Sequence, residues 1–126
     1  LGQTSALGGL LDHATDATLM VTGLGALAAR GLAPSLLPLL VAAAFLQYAL
    51  GSRVVAGRAL RPNPIGRWNG LAYYVFLGTP LVRDAAGVRW PWDSLVWWVG
   101  CLLVASTLTS MVARARAGRG PPPPAP

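Results

Sequence analysis

The chain contains no lysine and no glutamate. Its ten basic residues are all arginine, and its only acids are Asp12, Asp16, Asp84 and Asp93. Charged residues make up 11% of the 126 positions, against about 25% in a soluble domain. Such sparse charge excludes an ordinary water-soluble domain. With 54% hydrophobic residues and a mean hydropathy of +0.52, it points to a membrane protein. The single cysteine, Cys101, excludes a disulfide framework within the chain. It lies midway along an apolar segment and reads as a small buried hydrophobe. Residues 1–11 lack a basic stretch and do not read as a signal peptide.

What is present is arginine and long apolar runs. The net charge of +6 could suggest nucleic acid. The arginines, however, are spread over loops between apolar segments. They fit topology signals and anionic lipid, and no nucleic-acid partner is expected. Four apolar segments can be marked, at about Leu7–Ala29, Pro34–Leu50, Trp68–Val82 and Ser94–Ala113. A spanning helix needs about 20 residues, range 17–25. The first and fourth segments meet this easily, the second at its lower limit, and the third is short, with Gly78 and Pro80 weakening its far end. The expected fold is all-α: a polytopic bundle of four transmembrane helices over residues 1–113. Residues 114–126, rich in arginine and proline, are expected to form a disordered cytoplasmic tail.

Arginine placement sets the expected orientation. Arg53, Arg58, Arg61 and Arg67 lie between segments two and three, and Arg114, Arg116 and Arg119 follow segment four. Arg30, Arg83 and Arg89 lie on the other side. The positive-inside rule puts the larger group in the cytoplasm. Trp90, Trp92, Trp97 and Trp98 then form an outer aromatic belt, and Trp68, Tyr73 and Tyr74 anchor the inner face. Gln47, Ser106, Thr107, Thr109 and Ser110 can bond across helices.

Two of the four acids, Asp12 and Asp16, fall inside the first segment. An aspartate near the centre of a membrane helix costs roughly 2.5–3.5 kcal/mol on insertion scales, so a pair needs a reason. Positions i and i+4 share a helical face, and Gly8 lies one turn earlier, about 6 Å of rise away. The stripe Gly8, Asp12, Asp16 offers carboxylate oxygens suited to Mg²⁺ or Mn²⁺, with room beside the glycine for a ligand. Proton relay and interhelical hydrogen bonding stand beside metal binding as readings of the pair. His13 lies about 100° round the helix from Asp12 and reads as an interfacial polar residue or a substrate contact.

The spacing Gly8-x3-Asp12-x3-Asp16, within Leu7-Gly8-Gly9-Leu10-Leu11-Asp12-His13-Ala14-Thr15-Asp16, resembles the second half of the CDP-alcohol phosphatidyltransferase signature, D-x2-D-G-x2-A-R-x8 or x9-G-x3-D-x3-D. Gln3-Thr4-Ser5 resembles the link between the half-motifs. Arg61-Pro62-Asn63-Pro64-Ile65-Gly66-Arg67 is similar to the family's P-x-x-x-G-K/R stretch. The resemblance covers most of the chain and implies the last four helices of a six-helix fold. The first half-motif is absent, and its arginine would lie two positions before Leu1. The chain therefore reads as the C-terminal part of a longer enzyme, expected to be inactive alone.

The resemblance implies phospholipid synthesis: transfer of a phosphatidyl group from a CDP-linked lipid to an alcohol, with release of CMP. It implies a multi-pass membrane enzyme, in a bacterial inner or plasma membrane, with its site facing the cytoplasm and a homodimer as its assembly. Carried over by position, Asp12 matches a ligand of Mg²⁺ or Mn²⁺. Asp16 matches the last aspartate, both general base and metal ligand. Gly8 matches the glycine at the nucleotide. Arg53, Arg58, Arg61, Gly66 and Arg67 are candidate substrate contacts. The alternative is a small non-enzymatic membrane protein that binds an ion or proton at Asp12 and Asp16.

Overall fold

Helix-forming apolar runs interrupted by short turns produce four helices in the computed structural model, which describes residues 6–54 and 64–119. They are α1 (Ala6–Ala29), α2 (Leu36–Val54), α3 (Pro64–Ala85) and α4 (Asp93–Ala117). No strand occurs among the described residues. The side chains of Arg53, Arg58 and Arg61, the segment Gln3-Thr4-Ser5 and the tail beyond residue 119 lie outside what is described.

Helices α1, α3 and α4 each bury a stripe at alternating three- and four-residue spacing. In α1 it is Met20, Leu24 and Leu27. In α3 it is Asn69, Tyr73, Phe76 and Pro80, and in α4 it is Val96, Gly100, Leu103, Thr107 and Ser110. This period lets side chains of neighbouring helices interlock at shallow crossing angles. Helix α1 packs on α2 and α3, and α4 packs on the same two. The bundle is therefore a ring in the order α1, α2, α4, α3, with no packing across either diagonal among the described residues.

The ends of α1 and α3 are closed in the same way. Gly31 (φ 75°) and Gly87 (φ 65°) take the left-handed conformation that favours glycine. After each, a backbone N–H returns to the last helical turn: Leu32 to the Leu27 carbonyl at 2.9 Å, and Val88 to the Arg83 carbonyl at 3.1 Å. Both caps sit at one end of the bundle, termed here the outer end. There Arg83 donates to the Pro91 carbonyl (2.8 Å), to Asp93 (2.6 Å) and to Asp84 (2.9 Å). Arg30 donates to the other oxygen of Asp84 at 2.5 Å. The two helix-joining turns are thus tied by charge, and Arg30, then Arg83, hold the Asp84 carboxyl below its ordinary value.

The bundle carries large apolar side chains on its surface as well as in its core. Its surface carries Leu39 at 67% exposure, Leu102 at 70% and Val75 at 62%, while Asn69, Thr107 and Ser110 are buried. The buried polar groups meet across helices: Ser106 donates to the Asn69 side-chain oxygen at 2.6 Å, and the Tyr73 and Thr107 hydroxyls lie 2.5 Å apart. Gln47 of α2 donates to the Met111 carbonyl of α4 at 3.1 Å. Interhelical bonding thus holds for Gln47, Ser106 and Thr107, whereas Thr109 turns back to its own helix, at Ala105.

Several boundaries differ from expectation. Helix α3 runs from Pro64 through Pro80 to Ala85, longer than the apolar run Trp68–Val82. Proline fits a first turn, and Pro80 is fully buried against its neighbours. Helix α4 continues through Arg114 and Arg116 to Ala117, so residues 114–117 belong to the bundle rather than to a tail. Tyr73 is not an interfacial anchor but a core residue. The four tryptophans of the outer belt are exposed, Trp97 and Trp98 meeting edge to face. Among the described residues one helix, α4, is long and apolar enough to cross a membrane. The segment Leu36–Gly51 is apolar but shorter, and the acids and His13 of α1 and the charges of α3 reduce their hydropathy.

Candidate metal centre and the adjoining cavity

Opposite the outer end, the first turns of α1 present Gly8, Asp12 and Asp16 on one exposed stripe. Thr15 and Thr18 satisfy their hydroxyls on the Leu11 and Ala14 carbonyls of the same helix, at 2.9 and 2.7 Å. They do not compete for the carboxylates. The side chains of Asp12, His13 and Asp16 converge, with one potential ligand atom of each lying within 4.8 Å of the others. His13 is therefore on the stripe rather than off it. Helical geometry explains this: at about 100° per residue, Asp16 lies roughly 40° from Asp12, on the side toward His13. It sits between the other two.

Two contacts orient the cluster. The His13 ring meets the Tyr48 ring of α2 edge to face, with centroids 5.1 Å apart. Tyr74 of α3 neighbours Asp16, with Asp12 as a further neighbouring charge. Among the described residues no arginine pairs with Asp12 or Asp16, since all three ion pairs lie at the outer end.

The donor set fits a divalent cation. An octahedral ion holds ligands at about 2.0–2.1 Å, so adjacent ligand atoms stand roughly 2.9 Å apart and only one opposed pair can stand at roughly 4.2 Å. Ligand atoms that now lie within 4.8 Å of one another must draw closer to share one ion. The two carboxylates suit Mg²⁺ or Mn²⁺, and the imidazole, a softer donor, favours the transition ion. Three protein ligands leave positions for water or substrate oxygens.

Next to the cluster is a cavity of about 240 Å³. His13 forms part of its wall, with Tyr48 of α2, Gly66, Gly70 and Tyr73 of α3, and Arg114 of α4. Of the residues singled out from sequence, Gly66 is thus brought beside the cluster. Arg67 is exposed and does not line the cavity. Arg114 and Tyr74 were not singled out as site residues. Arg114 read only as a topology charge, and nothing in the local sequence distinguishes Tyr74 from Tyr73.

A larger concavity of about 420 Å³ lies between α3 and α4, lined by Leu71, Val75, Trp90 and Leu95 among others. It holds no charged group and offers no chemistry of its own. Comparison of the chain with family models, curated proteins and solved structures finds no match.

Proposed function

We propose that the chain is the metal-binding portion of an integral-membrane phosphatidyltransferase of the CDP-alcohol type. The observation that carries this is the convergence of Asp12, His13 and Asp16 on an exposed face, unpaired by any described arginine. The Gly8-x3-Asp12-x3-Asp16 spacing resembles that family's, and the buried polar seam beneath a leucine- and valine-rich surface suits a bundle in lipid. In this reading all four helices span a bacterial inner or plasma membrane. The inner end, with Arg67, Arg114 and Arg116, faces the cytoplasm, and two copies form a dimer.

Bound divalent ions, Mg²⁺ or Mn²⁺, would stabilise the attacking and leaving oxygens of the displacement. Asp12 and Asp16 hold that charge. Asp16 also accepts the proton of the acceptor hydroxyl, whose oxygen bonds to the lipid-side phosphorus. The bond from that phosphorus to CMP breaks, and CMP leaves with the electron pair. Gly8 leaves room for the nucleotide, while Gly66 shapes the neighbouring cavity. Arg53, Arg58, Arg61 and Arg67 meet anionic parts of the substrates.

The test is CMP release from a CDP-linked diacylglycerol by membranes carrying the full reading frame. Release should depend on Mg²⁺ or Mn²⁺ and vanish in Asp12→Asn and in Asp16→Asn. Undiminished release in both variants would contradict the proposal. Metal binding with no CMP release under any acceptor would favour the ion-binding alternative.

A further inference from the structure

The cavity beside the carboxylates has an uneven charge. Asp12 and Asp16 do not line it, although the neighbouring His13 does. Among the described residues, Arg114 is its one wall residue with a permanent charge. Arg114 is half-buried, and its guanidinium makes a long contact of 3.5 Å with the Ala44 carbonyl. Among the described residues no carboxylate pairs with it. A guanidinium carries five N–H donors in a planar fork that matches phosphate oxygens. Most of that capacity has no partner in this wall.

The opposite wall is open by construction. Gly66, Asn69, Gly70 and Tyr73 follow one face of α3. A Cβ placed on Gly70 meets nothing within 4 Å, so the space there comes from the missing side chain. Asn69 lies on the same face but does not line the cavity; its side-chain oxygen accepts from Ser106 of α4. At about 240 Å³ the cavity is smaller than the roughly 300–1,000 Å³ typical of drug-sized ligands. It suits a small molecule, not a nucleotide.

We infer that this cavity binds the phosphate of a short phosphorylated polyol. Arg114 takes the phosphate, and a hydroxyl of the same molecule is directed past His13 toward Asp16. The role as acceptor rests on the proposed transferase reading; the anion site itself does not. Together they narrow the acceptor to a phosphomonoester alcohol rather than a neutral alcohol or an amino alcohol. His13 acts here as a positioning residue, held by the Tyr48 ring.

The test uses the full chain in nanodiscs of zwitterionic lipid, titrated calorimetrically with glycerol 3-phosphate, glycerol and inorganic phosphate. Saturable binding of glycerol 3-phosphate and none of glycerol is expected. Loss of the charge-assisted contact in Arg114→Gln should weaken binding by about tenfold or more, and Arg114→Lys should retain part of it. Gly70→Val, which fills the cavity without altering charge, should weaken it as well, with circular dichroism matching the unaltered chain. Because the two variants perturb different elements, misfolding of one leaves the other decisive. Unchanged affinity in a folded Arg114→Gln or Gly70→Val, or equal binding of glycerol, overturns the inference. So does Arg114-dependent competition by phosphatidate in the disc, which would make a lipid headgroup the occupant. A parallel Mn²⁺ titration separates the two readings. Mn²⁺ binding without glycerol 3-phosphate binding sinks this inference alone. The reverse result sinks the carboxylate site and leaves the anion site standing.

Discussion

The two ends of the bundle handle the same scarce charges in opposite ways. At the outer end, Asp84 and Asp93 are matched by Arg30 and Arg83, and the network ties the two helix-joining turns together. At the inner end, Asp12 and Asp16 converge with His13 and neighbour Tyr74, and Arg114, among the described residues the one cation lining the neighbouring cavity, has no described carboxylate partner. Two helix glycines also differ in how closely they are packed. A Cβ on Gly100, near the outer turn, would meet the Pro34 ring at 2.7 Å and Phe76 at 3.1 Å, whereas one on Gly70 meets nothing. Paired charge and close packing make a clamp. Charge with no described ion-pair partner beside open space is the basis of the proposed binding site.

The packing contrast yields the largest expected effect on stability. Gly100→Ala forces a methyl against a proline ring and should cost about 1–3 kcal/mol, read as a lower thermal midpoint in detergent. Gly70→Ala should leave the midpoint unchanged or raise it, because alanine is the better helix former by about 1 kcal/mol. Equal losses in both would erase the distinction between a closed and an open half.

A smaller effect is expected in the polar seam that joins the halves. Tyr73→Phe removes the bond to the Thr107 hydroxyl but leaves Thr107 bonded to the Leu103 carbonyl at 2.6 Å. The expected loss is about 0.5–1.5 kcal/mol, measurable in the same unfolding assay. A loss several times larger would show that the seam, not the apolar stripe, dominates the α3–α4 contact.

The smallest effect concerns pH. Asp84 has its folded-state carboxyl held below the ordinary 3.8 by Arg30 and Arg83. A depressed carboxyl contributes stability that is full above its unfolded value and is lost as pH falls through the folded value. The midpoint should therefore drop slightly below about pH 4, and Asp84→Asn should remove that part of the acid slope. An acid slope that survives unchanged in Asp84→Asn would mean the clamp does not report on Asp84.

Most of the helical content was legible in sequence because apolar runs and turn glycines are local signals. The Asp12–Asp16 stripe was legible because a four-residue spacing is one turn. His13 was read as an interfacial residue or a substrate contact; its approach to the two carboxylates was not drawn because its angle was measured from Asp12 alone. Asp16 lies between them, so the three converge. Arg114 was illegible as a site residue because an arginine after an apolar run looks the same whether it faces solvent or a cavity. The reach of α3 beyond its apolar core was hidden for a related reason: its flanking charged turns are helical by packing and capping, not by hydropathy. The ring order of the helices depends on which stripes meet, and no single stripe contains that information.

The most direct test of the inner end as a metal centre is electron paramagnetic resonance of Mn²⁺ titrated into the full chain in nanodiscs. Removing supporting partners of a metal site typically costs about 10–100-fold in affinity, so loss of a ligand in Asp12→Asn or Asp16→Asn should cost at least about 100-fold. Asp84→Asn and Asp93→Asn should bind Mn²⁺ as the unaltered chain does. Equal weakening by inner and outer substitutions, or saturable binding that persists in the Asp12→Asn, Asp16→Asn double variant, would contradict the account.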